Sequence, residues 1–314
     1  MDWLPKSVTV QLWRGWMPEV AQRVASLGLA SIVSAELYLD WARSIKHYYK
    51  HDVRPSRGRI GGEACMWSEW ASDNVDNRLW PTLAAVAEKL WLSAEAPGGV
   101  PQMYARVFGV SAWLAGLGLR HDSVYDLALR ALLSGKPFSY AQVAAHRRGP
   151  EDLRLAPLRR LTNALQPVNR VGGGQKHPLV QFADVLRPDS LEMRALALLA
   201  EQCVAERFAE PGRAALLRAS LALYARLPAE LEACGAAAAV ASAGAAHLAK
   251  DVAEVAAAAV ELIDLLARGE AATAQTRRQS LLARIAQIEN AVVGGDKVIV
   301  EFAHVVETSL CVRI

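Results

Sequence analysis

The sequence holds few cysteines, and none has the spacing of a metal site. Its four cysteines are scattered through 314 residues without a C-x-x-C pair: Cys65, Cys203, Cys234 and Cys311. Neither a zinc site nor a dense disulfide framework is therefore expected. Isolated cysteines of this kind usually serve as small, buried apolar side chains. No cofactor and no metal ligand set is predicted.

Long apolar runs and a strong charge of one sign are also missing. No stretch of about 18 uncharged apolar residues occurs, so no membrane-spanning helix is predicted. The 35 Lys and Arg nearly balance the 32 Asp and Glu, which leaves a net charge of +3 without a basic stripe and argues against a nucleic-acid partner. The first residues lack the basic and apolar regions of a secretory signal, and the localisation stays open.

Aromatic residues make up only 7% of the chain, but the tryptophans are unevenly placed. Eight of the nine tryptophans lie within the first 91 residues. At 314 residues the chain is long enough for two domains. We therefore seek the function near the N-terminus.

Short runs of β-branched and apolar residues near the N-terminus predict strands at residues 8–13, 30–34 and 60–66. Residues 18–25 have the spacing of a helix, and Pro81 opens another helix, whose apolar face is predicted to include Trp91. This order is typical of βα units that form a parallel sheet. In α/β barrels, active sites lie at the carboxyl ends of such strands.

The sequence after residue 95 is predicted to be all-α, apart from one terminal strand at residues 297–301. We therefore divide the chain into a partial barrel segment, residues 1–95, and a helical region, residues 96–314. Breakers such as Gly and Pro separate the predicted helices. These helices are predicted at residues 100–117, 122–133, 191–208, 213–227 and 228–267.

Aromatic and acidic side chains follow the predicted strands. They are Trp13 after the first strand, Tyr38 and Asp40 after the second, and Trp67 and Glu69 at the end of the third. In a parallel sheet these five converge on one edge, where indole rings can stack on a pyranose and carboxylates can accept hydrogen bonds from its hydroxyls. Core packing is the alternative for each tryptophan taken alone. The carboxylates are harder to explain that way, because Asp and Glu are rarely buried without a partner.

Four motifs in order carry a family resemblance: Gln11-Leu12-Trp13-Arg14, Tyr38-Leu39-Asp40, the run from Gly61 to Glu69, and Arg78-Leu79-Trp80-Pro81. Over about residues 7–95 the chain resembles the last three βα units of bacterial family 20 β-N-acetylhexosaminidases. The resemblance implies strands six to eight of a (β/α)8 barrel, followed by a C-terminal α-helical region.

The resemblance also implies roles for the five side chains. Trp13 and Trp67 are expected to form two walls of an aromatic cage around the substrate acetamido group. Tyr38 is expected to donate a hydrogen bond to the acetamide oxygen, Asp40 to contact the 6-hydroxyl and Glu69 the 4-hydroxyl. The family hydrolyses terminal β-linked N-acetylglucosamine or N-acetylgalactosamine with the acetamide oxygen as nucleophile, an exception to the usual pair of carboxylates. The implied partner is an N-acetylhexosamine-containing glycan.

The catalytic pair that the resemblance implies, an Asp-Glu dipeptide, occurs nowhere in the 314 residues. No catalytic residue is therefore assigned, and we expect the chain alone to show no turnover. Three βα units cannot close an eight-stranded barrel, so the first strand is expected to have an unpaired edge. The alternative hypothesis is a non-catalytic remnant, or a helical interaction or oligomerisation module. The oligomeric state stays open.

Several other titratable residues have a structural alternative. Glu63 either supports the end of the third strand or serves as an ion-pair partner, and Glu88, on a helix, is predicted to be structural. His121, His146 and His177 have no partners at metal-ligand spacing, so solvated or hydrogen-bonded roles are preferred for them.

Overall fold

The structure, a computed structural model, divides into two compact units. The first is built on Met1–Asp122 with Arg170–Lys176, and the second on Ser123–Asn169 with His177–Ile314. The predicted division at residue 95 concerns the extent of the barrel segment and stays a prediction. The structure describes residues 3–14, 18–41, 43–53, 55, 58–67, 75–92, 99–134, 155–167, 182–288, 290–293 and 296–311.

The first unit contains a parallel three-stranded sheet in the order β1-β2-β3. Its strands are β1 (Thr9–Leu12), β2 (Ala30–Val33) and β3 (Arg59–Gly62). The pairing of β1 with β2 runs without a break from Thr9 opposite Ala30 to Leu12 opposite Val33. All three predicted strands and their parallel arrangement are confirmed.

The third strand is shorter than predicted. The register between β2 and β3 shifts next to Ser31, and β3 ends at Gly62 instead of continuing to Met66. The side chain of Ile60, at this irregularity, is 58% exposed. Ile60 is the extra residue of a bulge, because Ser31 pairs with Arg59 and Ile32 pairs with Gly61, and the run of apolar residues alone does not reveal it.

Helices follow the strands of the first unit, as the βα pattern predicts. Their bounds are α1 (Pro18–Ser26), α2 (Ile45–Lys50), α3 (Val75–Leu79), α4 (Thr82–Trp91) and α5 (Gly99–Gly116). Val86 of α4 is buried in one cluster with Leu37, Leu39 and Tyr48, which come from the segment after β2 and from α2. The prediction that Trp91 belongs to the apolar face of α4 is wrong, because Trp91 is 90% exposed.

The second unit is mainly helical. The helices are α6 (Ser123–Ser134), α7 (Leu155–Asn163), α8 (Leu191–Ala205), α9 (Pro211–Ala225), α10 (Leu227–Ala233), α11 (Ala237–Ser242), α12 (Ala246–Ala267), α13 (Ala271–Ile288) and α14 (Glu301–Val305). The sequence prediction did not include α7 or α13. The predicted helices that begin near residues 100, 122, 191 and 213 are confirmed to within a few residues at each end.

The single helix predicted over residues 228–267 is wrong, because α10, α11 and α12 take its place. Gly235 and Gly244 interrupt it, both with φ of +74°. After each glycine the next amide bonds back five residues, from Ala236 to Leu231 and from Ala245 to Val240, both at 2.9 Å. Glycine adopts this left-handed turn without steric cost, so the two glycines end helices that alanine would otherwise continue.

The all-α prediction for the second unit is also wrong in part, because the unit contains a small antiparallel sheet. Its strands are β4 (Gln166–Pro167), β5 (Asn290–Val293) and β6 (Asp296–Ile299), in the order β4-β6-β5. The predicted terminal strand overlaps β6 but runs too far, since α14 begins at Glu301. Two glycines in the sequence stand between β5 and β6, a pattern typical of hairpins.

Among the helices of the described residues, none has the length and apolar character needed to cross a lipid bilayer.

Candidate functional site

Strand pairing resumes beyond β2 and β3, and this second contact positions the candidate site. Tyr38 forms an isolated parallel bridge with Cys65. The Cys65 amide donates to the Leu37 carbonyl at 2.9 Å, and the Leu39 amide donates to the Cys65 carbonyl at 2.9 Å. The two connecting segments are thus held side by side just past the carboxyl ends of their strands. Parallel sheets place ligand-binding residues at this edge.

Tyr38 is anchored through both its side chain and its backbone. Its ring is buried, and its hydroxyl donates to the backbone carbonyl of Trp13 at 3.3 Å, which joins the segment after β2 to the segment after β1. Its own carbonyl accepts a hydrogen bond from the hydroxyl of Tyr48 at 2.8 Å. Burial is the largest cause that raises the pKa of Tyr38, and electrostatic interactions with Cys65 and Asp40 add to it. The phenol therefore stays protonated and able to donate at neutral pH.

Asp40 and Trp67 are joined by a hydrogen bond. The backbone amide of Trp67 donates to Oδ1 of Asp40 at 3.3 Å, while the carboxylate is only 2% exposed. The indole of Trp67 is 49% exposed. The carboxylate thus holds the backbone of Trp67 in position, two residues after Cys65. The indole ring of Trp67 remains accessible to solvent.

Trp13 is 49% exposed as well. The guanidinium of Arg14 lies over its ring at 4.1 Å from the ring centre, a cation–π contact that covers one of the two ring faces. Gln11 lies near the end of β1, and Glu63 directly follows β3. The side-chain amide of Gln11 donates to the carboxylate of Glu63. Of the two alternatives for Glu63, this contact favours support of the strand ends.

The remaining sequence candidates are placed as follows. Glu69 lies outside the described residues, as do His146 and His177. Glu88 pairs with Arg106 at 2.6 Å and accepts from the Tyr49 hydroxyl at 2.7 Å, which confirms the prediction of a structural role. His121 is buried, with Nε2 at 2.7 Å from the hydroxyl of Ser111. Within the described part of the chain, no three His, Cys, Asp or Glu lie together as a metal site would require.

A pocket of about 260 Å³ lies next to Trp13 on the first unit. Tyr38, Asp40 and Trp67 do not line it, so it is not the site predicted from the sequence. Its lining combines an apolar floor with charged and polar groups: Gln11, Leu12, Trp13, Arg14, Val20, Ala21, Val33, Ala35, His51, Asp52 and Arg59.

Sequence reasoning missed two side chains that support Tyr38. The ring of Trp41 stacks on the ring of Tyr38 with centres 5.4 Å apart and planes 20° apart. Arg43 lies on Trp41, with its guanidinium carbon 4.8 Å from the ring centre. Both follow the Tyr38-Leu39-Asp40 motif within three residues, but no periodicity or spacing indicated them.

Residues 2–94 match the glycosyl hydrolase family 20 catalytic domain. The four motifs that carry the resemblance all fall within this segment. The N-terminal segment of the chain therefore belongs to family 20 of the glycoside hydrolases.

Curated relatives support the same assignment. The beta-hexosaminidase subunit beta of Felis catus is 37% identical over 116 residues, which cover 33% of this chain and 22% of the cat protein. The human subunit beta is 36% identical over 104 residues, or 29% of this chain and 19% of the human protein. The chain thus spans about a fifth of the length of these relatives.

A solved structure extends the likeness beyond the matched segment. The X-ray structure of Flavobacterium johnsoniae chitobiase aligns with 97% of this chain and 45% of its own, with a TM-score of 0.67 and 22% identity. At this identity the likeness is one of fold. It fits a partial barrel followed by helices.

Proposed function

We propose that the first unit is the sugar-binding part of a β-N-acetylhexosaminidase barrel, made of the last three βα units, with β1, β2 and β3 as strands six to eight. Its substrate is a glycan that ends in β-linked N-acetylglucosamine or N-acetylgalactosamine. Trp13 and Trp67 form the walls of the site, Tyr38 and Asp40 its polar contacts, and Glu69 completes it. As an isolated chain, the protein binds this sugar without hydrolysing it.

The observation that carries the proposal is a pair of hydrogen bonds that join the segments after the three strands. Tyr38 bonds to the Trp13 backbone, and Asp40 bonds to the Trp67 amide. Four residues that the family resemblance assigns to one sugar therefore contact each other in pairs. The two half-exposed indoles follow the two outer strands, which lie two strand spacings or about 10 Å apart.

The chemistry of the described groups suits an acetamido sugar. The Tyr38 hydroxyl has one proton, so on sugar binding it exchanges the Trp13 carbonyl for the acetamide oxygen. A buried carboxylate accepts strongly from sugar hydroxyls. Indole rings stack on the apolar C–H faces of a pyranose and on the acetamide methyl group. The proton donor to the leaving oxygen is the Asp-Glu glutamate in the family, and the 314 residues contain no such dipeptide.

A binding experiment tests the sugar site directly. The purified chain is titrated with methyl N-acetyl-β-D-glucosaminide and, separately, with methyl β-D-glucoside, in which a hydroxyl replaces the acetamido group. We expect the acetamido sugar to bind about tenfold more tightly or better, since it adds a hydrogen bond and an apolar contact. Equal affinity for the two glycosides contradicts the proposal.

Matched variants locate the binding. Trp67→Leu is expected to abolish most of the binding, whereas Trp113→Leu, which changes another exposed tryptophan on α5, leaves it unchanged. A similar loss in both variants contradicts the assignment of the site.

A turnover assay tests the absence of catalysis. The chain is incubated with p-nitrophenyl N-acetyl-β-D-glucosaminide, and no release of p-nitrophenol above the buffer rate is expected. Release at rates typical of enzymes, about 1 s⁻¹ or faster, contradicts the proposal that the chain lacks its proton donor. Sugar-independent, stable oligomers in light scattering, together with no sugar binding, favour the alternative of an interaction module.

A further inference from the structure

Three side chains form a stack at the edge of the candidate site. The ring of Tyr38 lies against Trp41, and the guanidinium of Arg43 lies on Trp41. Cation–π and offset ring contacts of this kind stabilise one orientation of each ring. Arg43 thus contacts the same indole ring that stacks on Tyr38.

Arg43 is itself held from two sides. Its Nη1 donates to Oε2 of Glu36 at 2.6 Å and lies 2.7 Å from Nε2 of His47. Because a guanidinium has only donors, Nε2 of His47 is the acceptor in this contact. Glu36 adopts a left-handed backbone conformation, with φ of 64°, that non-glycine residues rarely take. The ion pair with Arg43 stabilises this bend.

The backbone of Arg43 reaches Tyr38 by a second route. The Arg43 amide donates to the Tyr48 hydroxyl at 3.3 Å, and that hydroxyl donates to the Tyr38 carbonyl at 2.8 Å. Tyr48 is almost fully buried, so this relay is protected from water. Residue 43 therefore influences both the ring and the backbone of Tyr38.

We propose that Arg43 is a positioning residue for Tyr38. The guanidinium packs on Trp41 while Glu36 and His47 hold it in place; Trp41 in turn stacks on the tyrosine ring, and this keeps the Tyr38 hydroxyl in a single orientation. That this orientation serves an acetamido sugar rests on the function proposed above. Lysine cannot replace arginine here, because an ammonium group offers no flat face to stack on indole.

The first test needs no ligand. The chain, which has seven tyrosines, is labelled with 3-fluorotyrosine, and Tyr38→Phe identifies the Tyr38 signal in the 19F spectrum. Arg43→Gln and Arg43→Lys are both expected to move or broaden that signal, since both remove the stacked guanidinium. The control is Arg106→Gln, which breaks the exposed ion pair with Glu88 and is expected to leave the signal in place.

A Tyr38 signal that stays in place in either Arg43 variant, with far-ultraviolet circular dichroism unchanged, overturns the proposal. Arg43→Lys keeps the positive charge near Glu36, so it serves as the second variant if Arg43→Gln does not fold. A change as large in Arg106→Gln also overturns the proposal, because it would mark a general loss of stability.

The second test uses methyl N-acetyl-β-D-glucosaminide. Arg43→Lys is expected to weaken its binding about fivefold to tenfold, in line with the loss of one stacked cation. Unchanged affinity together with a moved Tyr38 signal overturns the positioning role. If the unmodified chain binds no acetamido sugar, the proposed function fails, and the fluorine spectrum still decides whether Arg43 orients Tyr38.

Discussion

Gly62, the last residue of β3, offers the sharpest test of how the strand ends are packed. A Cβ atom at this position would lie 2.8 Å from the Val33 carbonyl oxygen and 3.0 Å from Cβ of Val53. The Val33 carbonyl cannot yield, because it accepts the Glu63 amide at 2.9 Å. Val53 cannot yield either, since it is buried in the core of the unit. Gly62→Ala must therefore displace β3 or its neighbours.

The cost follows from overpacking. Forcing one extra methyl group into a packed site destabilises a protein by about 1–3 kcal/mol. Alanine also restricts the unfolded chain more than glycine does, and this offsets the destabilisation by about 0.4–1 kcal/mol. We expect Gly62→Ala to lower the free energy of unfolding of the first unit by about 1–2 kcal/mol, which lowers the urea midpoint on the order of 1 M.

Gly109 provides a control in which the same substitution has the opposite effect. It lies inside α5, and a Cβ atom added there meets nothing within 4 Å. Alanine is the better helix former by about 0.5–1 kcal/mol. Gly109→Ala should therefore stabilise the unit that Gly62→Ala destabilises.

Tryptophan fluorescence is the assay, because all nine tryptophans belong to residues 1–122 and report on the first unit alone. Urea unfolding curves of the two variants are compared with that of the unmodified chain. Midpoints that move in the same direction, or a Gly62→Ala midpoint equal to the original one, refute the packing argument.

Three further predictions concern buried or partly buried polar groups. Asp40→Ala removes the acceptor of the Trp67 amide and should cost the first unit about 1–3 kcal/mol, whereas Asp40→Asn keeps an acceptor oxygen and should cost less. Burial and the charge of Arg43 lower the pKa of His47 below its usual 6.5. The unfolded state therefore binds more protons, and the melting temperature should fall as the pH drops from about 7. Tyr224→Phe removes a hydrogen bond to Glu192 at 2.5 Å and should destabilise the second unit by about 1 kcal/mol.

Each of these has its own check. Urea unfolding followed by tryptophan fluorescence should rank the two Asp40 variants, and equal losses argue against the hydrogen bond to Trp67. His47→Gln should flatten the dependence of the melting temperature between pH 7.5 and 5.5; an unchanged slope assigns the effect to another group. Since the second unit has no tryptophan, Tyr224→Phe is followed by circular dichroism, and an unchanged midpoint contradicts the prediction.

The local sequence was sufficient for the regular elements of the first unit. Runs of β-branched residues predicted β1 and β2 to within two residues at each end, and Pro18 with apolar spacing predicted α1. These elements form where local preference and burial agree. Family resemblance, rather than periodicity, supplied the roles of the site residues, and those roles stay predictions.

The same reasoning failed to predict where some helices and strands end. Alanine-rich sequence predicted one helix over residues 228–267, but Gly235 and Gly244 end helices there because their turns bond back to the preceding helix. The apolar run after β3 predicted a strand through Met66, but regular pairing stops at Gly62 and returns only at Cys65. In both places the register of hydrogen bonds, which is a property of two segments together, decided the outcome.

By itself, then, the sequence determined the βα order of the first unit, the helical character of most of the second, and the family of residues 2–94. Only the tertiary structure decided how the segments after the strands are joined: Tyr38 to the Trp13 backbone, Asp40 to the Trp67 amide, and Arg43 over Trp41. Local propensity acts over a few neighbouring residues. These contacts join residues up to 27 positions apart, and they exist only once the parallel strands bring their ends to one edge.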